Sequence, residues 1–181
     1  MTFHSERLTF RDFTPQDYPQ FASVFSNPLV MRYAYRACIT DEGEMHDYFE
    51  TVLKNAAEQP RMLYEFAVHI QSSGEFAGFA DIHAEYILAG QRRAELGYFL
   101  LPEHWGRGYA TEIARALVDV SFRTLGLHKV VGSCNEHNDA SAQVMQKAGM
   151  RKEGVFRGER YKDGRWDDEL RFGILKSDWQ P

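Results

Sequence analysis

Leu100-Leu101-Pro102-Glu103-His104-Trp105-Gly106-Arg107-Gly108-Tyr109-Ala110-Thr111 is the stretch whose reading decides the fold. Ahead of it, Ala94 to Leu101 reads as a strand that Pro102 stops. Behind it, Gly106 to Leu125 switches to helical period, with Ala110, Ile113, Leu117 and Val120 on one face. A strand passing through a glycine-rich turn into a helix puts the helix's first amides, which have no partner inside the helix, at a strand end. The helix dipole leaves that end partly positive. Gly106 and Gly108 lack the Cβ atoms that would keep a phosphate away from those amides, and Arg107 adds a mobile positive charge. The stretch therefore predicts an anion cradle. It is not a Walker loop, because no Lys-Ser/Thr follows the glycines. The third glycine of a dinucleotide fingerprint is also missing. By itself the pattern equally fits a plain glycine-rich loop that caps a helix.

Working outward, Arg7 to Phe13 alternates as a first strand, and Thr14-Pro15 starts a helix with Thr as N-cap and Pro at its first position. Asn27-Pro28 ends that helix, and a short helix resumes from Met31 to Tyr33. Thr40 is the expected N-cap of a second helix, whose apolar set is Met45, Tyr48, Phe49, Val52 and Leu53. Met62 to Ile70, Phe76 to Glu85 and Ala94 to Leu101 read as three consecutive strands. After the long helix, closed by Gly126, come a short strand from Lys129 to Cys134 and a helix from Asn138 to Ala148, with Gly149 as its stop. Arg151 to Tyr161 and Arg165 to Leu175 form a hairpin around Asp163-Gly164. The order predicts a mixed α/β domain: a mostly antiparallel sheet flanked by helices, with at least one parallel crossover through the long helix.

The composition narrows the function. The chain has 181 residues, 44% hydrophobic and 26% charged, with a formal net charge of −5. That is ordinary for one globular domain, here residues 1–181. No apolar run approaches the ~20 residues of a membrane helix, and no secretory signal is visible at the N-terminus. Cys38 and Cys134 belong to no CxxC pair and read as reduced thiols of a cytoplasmic protein. Mild acidity argues against nucleic acid as a partner and leaves room for a cationic substrate such as an amine. The seven histidines show no ligand spacing, so no metal site is expected.

Two further segments frame the cradle. Ala94-Glu95-Leu96-Gly97-Tyr98 carries a glycine inside a strand, which suggests a bulge or close approach by a ligand. Asn138-Asp139-Ala140-Ser141 opens the next helix. If the strands before the two helices are neighbours, both helix starts face one cleft. With Glu95-Leu96-Gly97-Tyr98, Trp105 to Glu112, Asn138 to Ser141, Lys147-Ala148-Gly149-Met150 and Glu153-Gly154 in this order, the chain resembles the GNAT acetyltransferases, and most strongly their RimJ/RimL-type branch of ribosomal-protein N-terminal acetyltransferases. The likeness runs from Ser5-Glu6-Arg7-Leu8 to Asp167-Asp168-Glu169-Leu170. Two positions depart from the family's pattern. Trp105 stands where Gln or Arg often begins the phosphate loop, and Met150 stands where Phe commonly follows the glycine.

The resemblance implies acetyl-CoA as co-substrate, held in a V-shaped gap between splayed parallel strands, here Ala94–Leu101 and Lys129–Cys134. It implies the pyrophosphate on the amides of Arg107, Gly108, Tyr109, Ala110 and Thr111, with Gly106 also in the cofactor-binding loop, and the pantetheine arm beside Phe99, Leu100 and Leu101. Asn138 would meet a pantetheine amide, and Ser141 would lie near the sulfur.

Direct attack by an amine on the thioester needs a neutral amine, a donor for the carbonyl oxygen and a proton for the thiolate. Glu95 is the candidate base, directly or through water, with apolar neighbours raising its pKa; the alternative is a strand carboxylate paired with Arg93 or another basic group. A strand N–H near Gly97 is the candidate oxyanion donor. Ser141, and after it a nearby tyrosine, is the candidate acid. Asn138 and Ser141 also fit a simple helix cap. Cys134 reads as a buried thiol rather than a nucleophile. His69 and His83 lie on strands. Tyr33, Tyr35, Tyr48 and Phe49 read mostly as core, with the loop from Met31 to Thr40 shaping the acceptor pocket. Trp166 either covers that pocket or packs on the last strand.

The expected activity is N-acetylation of a primary amine: a protein N-terminus, a polyamine, an aminoglycoside-like amine or another small amine. The alternatives are a non-catalytic acyl-CoA-binding or sensing module and, less well supported, a nucleotide-binding phosphotransferase. Monomer and homodimer are both open, the final hairpin being a possible dimer element.

Overall fold

The computed structural model describes residues 1–86 and 92–180. The strands are β1 (Thr2–His4), β2 (Leu8–Asp12), β3 (Leu63–Ile70), β4 (Phe76–Tyr86), β5 (Arg92–Leu100), β6 (Lys129–Asn135), β7 (Arg151–Lys162) and β8 (Arg165–Leu175). The α-helices are α1 (Tyr18–Phe25), α2 (Glu42–Ala57), α3 (Tyr109–Arg123) and α4 (Asp139–Lys147). The strands form one sheet in the order β1-β2-β3-β4-β5-β6-β8-β7. Every neighbouring pair is antiparallel except β5 and β6, which are parallel and joined through α3.

Strand alternation builds two cores, one on each face. Ala94, Leu96 and Leu100 of β5 pack with Ile113 and Leu117 of α3 and with Val130 and Cys134 of β6. On the opposite face, Ala67 of β3, Phe79 of β4 and Phe99 of β5 meet Phe21, Val24 and Phe25 of α1 and Met45, Phe49 and Val52 of α2. Glu95 and Gly97 alternate with the first set and so belong to the second face. That face is where the sheet's polar residues collect, described below.

The expected helix starts hold with one correction. Pro15–Asp17 forms a 3-10 turn leading into α1, and Asp17 accepts hydrogen bonds from both the amide and the hydroxyl of Thr14, each at 2.7 Å. For α2 the N-cap is Asp41, not Thr40: its carboxylate accepts from the Glu44 amide at 2.8 Å. An Asp side chain one residue nearer the helix satisfies the orphan amide and displaces the threonine. The strand β1 has no counterpart in the sequence reading, because three residues are too few to show a period.

Asp17 also holds Arg11 in a two-pronged ion pair, 2.6 and 2.7 Å, tying β2 to the start of α1. Burial alone would raise its pKa; the hydrogen bonds from Arg11 and Thr14 outweigh it and hold the carboxyl down at about 2. A depressed carboxyl stabilises the fold fully above its unfolded value of ~3.9, and that contribution is lost as pH falls through 2. Asp17→Ala is therefore expected to cost about 1–3 kcal/mol at pH 7. The cost should shrink towards pH 2 when unfolding by urea is compared across pH.

Candidate active site

The parallel ladder between β5 and β6 is short. It joins Arg93 to Lys129, Ala94 to Val130 and Glu95 to Val131. Beyond Glu95, β5 continues against β4 up to Leu100, while β6 continues against β8 up to Asn135. The two strands thus part company in mid-sheet. A cavity of about 820 Å³ occupies the split and reaches both faces of the sheet. Its lining includes Gly106, Gly108, Tyr109, Ala110 and Thr111 at one end and Asp81, His83, Glu95 and Ser133 at the other.

At the first end, Gly108 is the N-cap of α3 and has a left-handed φ of +81°; Gly106 has φ +72°. Both values suit glycine and are costly for other residues. No atom stands within 4 Å of where a Cβ on Gly106 would be, so the concavity is open. The first-turn amides of Tyr109, Ala110 and Thr111 have no acceptor within the helix. Arg7 braces this turn from β2's approach. Its guanidinium donates to Glu112 at 2.7 Å and to the Arg107 carbonyl at 3.0 Å, and lies 4.6 Å from the Tyr109 ring centre. Ser5 and the Arg7 amide donate to the same Glu112 carboxylate, at 2.7 and 2.6 Å. Burial works to raise Glu112, but these donors outweigh it and hold the carboxyl below its ordinary value. The indole N–H of Trp105 donates to the Leu100 carbonyl at 2.8 Å and fastens the turn to the end of β5.

Midway along the split, the hydroxyls of Tyr98 and Ser141 lie 2.9 Å apart. Burial pushes Tyr98 up to about 12, so its hydroxyl stays protonated and able to donate. Burial likewise pushes the Cys134 thiol up to about 11, which keeps it a neutral apolar group rather than a thiolate nucleophile. Asn138 caps α4 by accepting from the Ser141 amide at 3.2 Å.

On the other face, Glu95 accepts a hydrogen bond from Ser133 at 2.7 Å. Arg93 pairs with Glu85 instead. Arg160 of β7 reaches the same region. It pairs with Glu169 at 3.0 Å, donates to the Tyr33 carbonyl at 3.1 Å and to Ser133 at 3.4 Å, and lies 3.8 Å from the Tyr35 ring centre. Tyr33 and Tyr35 line the cavity, as the loop reading expects, although Tyr35 is exposed rather than core.

The split therefore gathers Glu95, Ser141, Phe99, Leu100, Gly106, Gly108, Tyr109, Ala110, Thr111 and Asn138 around one space. Arg107 and Leu101 do not line it; the Leu101 amide donates to Ala77 at 3.0 Å. Gly97 is not a bulge, since its pairing with Asp81 is in regular register. The close approach is intramolecular: a Cβ at residue 97 would overlap Asp81 Oδ1. Asp81, across the ladder from Gly97, is pushed up to about 7 by burial and by the charges of Glu65 and Glu95. Trp166 does not cover the cavity; it is 65% exposed and packs on Tyr161. His83 lines the cavity, whereas His69 packs against Phe76.

Glu136, His137 and Asp167 bring one ligand atom each within 4.8 Å of one another. Asp167 is already engaged by Asn135 at 2.9 Å and Arg165 at 3.1 Å. Sequence reasoning missed Asp81, Arg7, Glu112 and Arg160. An aspartate inside the apolar run Phe79-Ala80-Asp81-Ile82 was the available signal for the first.

Residues 7–151 match the family model described as an acetyltransferase (GNAT) domain. The protein named as an uncharacterized N-acetyltransferase, YoaA, of Bacillus subtilis (strain 168) is 30% identical over 172 residues, 95% of each chain. A GNAT-family acetyltransferase from Bacillus anthracis superimposes with a TM-score of 0.83 at 29% identity, covering 98% of this chain and 99% of that one. Spermidine N-acetyltransferase from Vibrio cholerae, solved with CoA and spermine, shares the fold with a TM-score of 0.83 at 24% identity, covering 95% and 97%. A parallel strand pair that separates beside a glycine-opened helix, matched by the family model over most of the chain, makes this protein a member of the GNAT family and an acetyltransferase.

Proposed function

We propose that the protein transfers the acetyl group of acetyl-CoA to a primary amine by direct attack. The observation that carries this reading is the break in the β5–β6 ladder after Glu95, which opens a passage from the first turn of α3 to a carboxylate-lined face. The diphosphate of the co-substrate sits on the amides of Tyr109, Ala110 and Thr111, with Arg107 as a mobile counter-charge. Its pantetheine lies along the unpaired edge of β5 by Phe99 and Leu100, and Asn138 meets it from α4. Glu95, at the mouth, draws the acceptor ammonium in and takes its proton, directly or through a water. The neutral nitrogen then forms a bond to the thioester carbon, whose oxygen is met by a strand amide near Gly97. The C–S bond breaks with its electron pair on sulfur. Tyr98 and Ser141, joined by their hydrogen bond, supply the sulfur's proton, and the nitrogen's second proton restores that pair.

The acceptor is a cationic amine. A carboxylate rim and a net charge of −5 favour it, as does the likeness to a polyamine acetyltransferase fold and to the N-terminal acetyltransferase branch. The experiment is an acceptor panel with acetyl-CoA and thiol detection: polyamines, aminoglycosides and peptides beginning with Ala or Ser. Thiol release with at least one class is expected. CoA binding without release across the panel would make the chain an acyl-CoA-binding module instead. In the same assay Glu95→Gln is expected to lower kcat/KM for the amine by about 10–100-fold. The Kd for CoA should not change. Turnover and pH profile both unmoved would remove Glu95 from the reaction.

A further inference from the structure

We infer that Asp81 is a catalytic residue of this acetyl transfer: it lies inward of Glu95 on the same face of the split and is the group on which the amine's proton comes to rest. The inference rests on the reading proposed above and adds the end point of the proton's path.

The geometry comes from three strands. Asp81 of β4 stands opposite Glu65 of β3 and Gly97 of β5, and Glu95 stands opposite His83. Residues two apart on a strand share a face, so Asp81, His83, Glu95 and Gly97 form one patch. Asp81, His83, Glu95 and Gly97 all line the cavity. Gly97 clears the way for the carboxylate, since any Cβ there would overlap Asp81 Oδ1. The Asp81 carboxylate is thus laid across β5, two residues past the last parallel pair at Glu95 and Val131.

No hydrogen bond or ion pair with a described residue satisfies that carboxylate. The nearby cations are committed elsewhere. Arg160 is held by Glu169, Arg36 by Glu44, and Arg61 by Asp12. Glu65 takes a hydrogen bond from the Asn55 amide and Glu95 one from Ser133. Tyr48 faces the group from α2, where its own burial, and after it the charges of Glu65 and Asp81, raise it above its ordinary value. His83 completes the set on β4. Three carboxylates therefore meet with no cation assigned to the middle one. An entering ammonium supplies that charge.

The step balances. The ammonium gives one proton, by way of Glu95 and water, to the Asp81 carboxylate, which becomes a neutral acid; the freed lone pair forms the N–C bond. The C–S electron pair leaves on sulfur, which takes its proton from the Tyr98–Ser141 pair. The second nitrogen proton restores that pair, and Asp81 returns its own to solvent. A carboxyl held near neutrality by burial and by its acidic neighbours is a better acceptor than an ordinary one, because proton transfer from an alkylammonium is less uphill.

The experiment compares wild type, Asp81→Asn and Glu95→Gln over pH 5 to 9, using an amine active in the panel and CoA binding as a fold check. Wild-type kcat/KM should fall below about pH 7. Asp81→Asn should lose about 100-fold or more in kcat and lose that limb, with the Kd for CoA unchanged. Glu95→Gln should keep the limb but move it to lower pH, because a charge that raises Asp81 is gone. A readout independent of turnover follows from linkage. A carboxyl raised on folding destabilises the protein progressively as pH rises from its unfolded value of ~3.9 through about 7, so Asp81→Asn should raise Tm most at pH 8, less at pH 5 and hardly at all at pH 3. Asp81→Asn with wild-type kcat and an intact limb overturns the inference, and so does a limb lost in Glu95→Gln alone. Absence of thiol release from the wild-type protein with every amine is the separate failure, that of the transferase reading, and it is seen before any variant is made.

Discussion

Gly108→Val is expected to weaken CoA binding about 100-fold or more, because two or more charge-assisted hydrogen bonds worth about 1.5–3 kcal/mol each are lost at about 1.4 kcal/mol per tenfold. Residue 108 has φ +81° and is the N-cap of α3. A β-branched side chain resists that conformation, so the cap must rearrange. The amides of Tyr109, Ala110 and Thr111 then no longer converge. A Cβ there also meets Arg7 Nη2 at 3.4 Å, on the brace that ties the turn to Glu112. Calorimetry with CoA measures the loss. Gly126→Val is the control: φ is +65° there too, a Cβ would meet no described atom within 4 Å, and it lies beyond the far end of α3 and away from the cavity. It should cost stability and leave the Kd for CoA where it was. Equal weakening by both variants would attribute the effect to general strain.

Tyr98→Phe is expected to lower kcat by about 100-fold or more with little change in either KM, since a general acid contributes typically 10²–10⁴. Tyr98 and Ser141 are one hydrogen-bonded pair at 2.9 Å, so their deletions should not add. Ser141→Ala alone should cost less than Tyr98→Phe, and the double variant little more than Tyr98→Phe. Burial that pushes Tyr98 up to about 12 keeps its proton in place over the whole working range, so this variant should leave the acidic limb of the pH profile untouched. Two independent, multiplying losses would separate the pair. Wild-type turnover in the double variant would take both out of the reaction.

Sequence periodicity was enough for the apolar faces of single helices and strands, the helix starts at Thr14 and Asn138, and the hairpin at Asp163-Gly164, because each rests on contacts a few residues apart. The cradle at Gly106 and Gly108 was legible for the same reason. What escaped lies across strands or between distant segments. Glu112 and Arg7 are joined over more than half the chain, and nothing near either residue announces the other. Asp81 gains its surroundings from Glu65 on one neighbouring strand and from Gly97 and Glu95 on the other, a relation that register creates. Gly97 was noticed as unusual within a strand, but its occupant is a side chain from β4 and not a bulge. For Trp166, which follows a turn, the sequence left covering the pocket and packing on the last strand both open. Its partner is Tyr161 across the hairpin, and its ring stays in water.

Backbone amide shifts recorded by NMR while CoA is added test the central claim most directly. The largest changes are expected at Tyr109, Ala110 and Thr111 and along β5 from Gly97 to Leu100, with Gly126, beyond the far end of α3 and away from the cavity, unmoved. A chain that shows no shifts at millimolar CoA, or whose shifts cluster away from the split between β5 and β6, would contradict it.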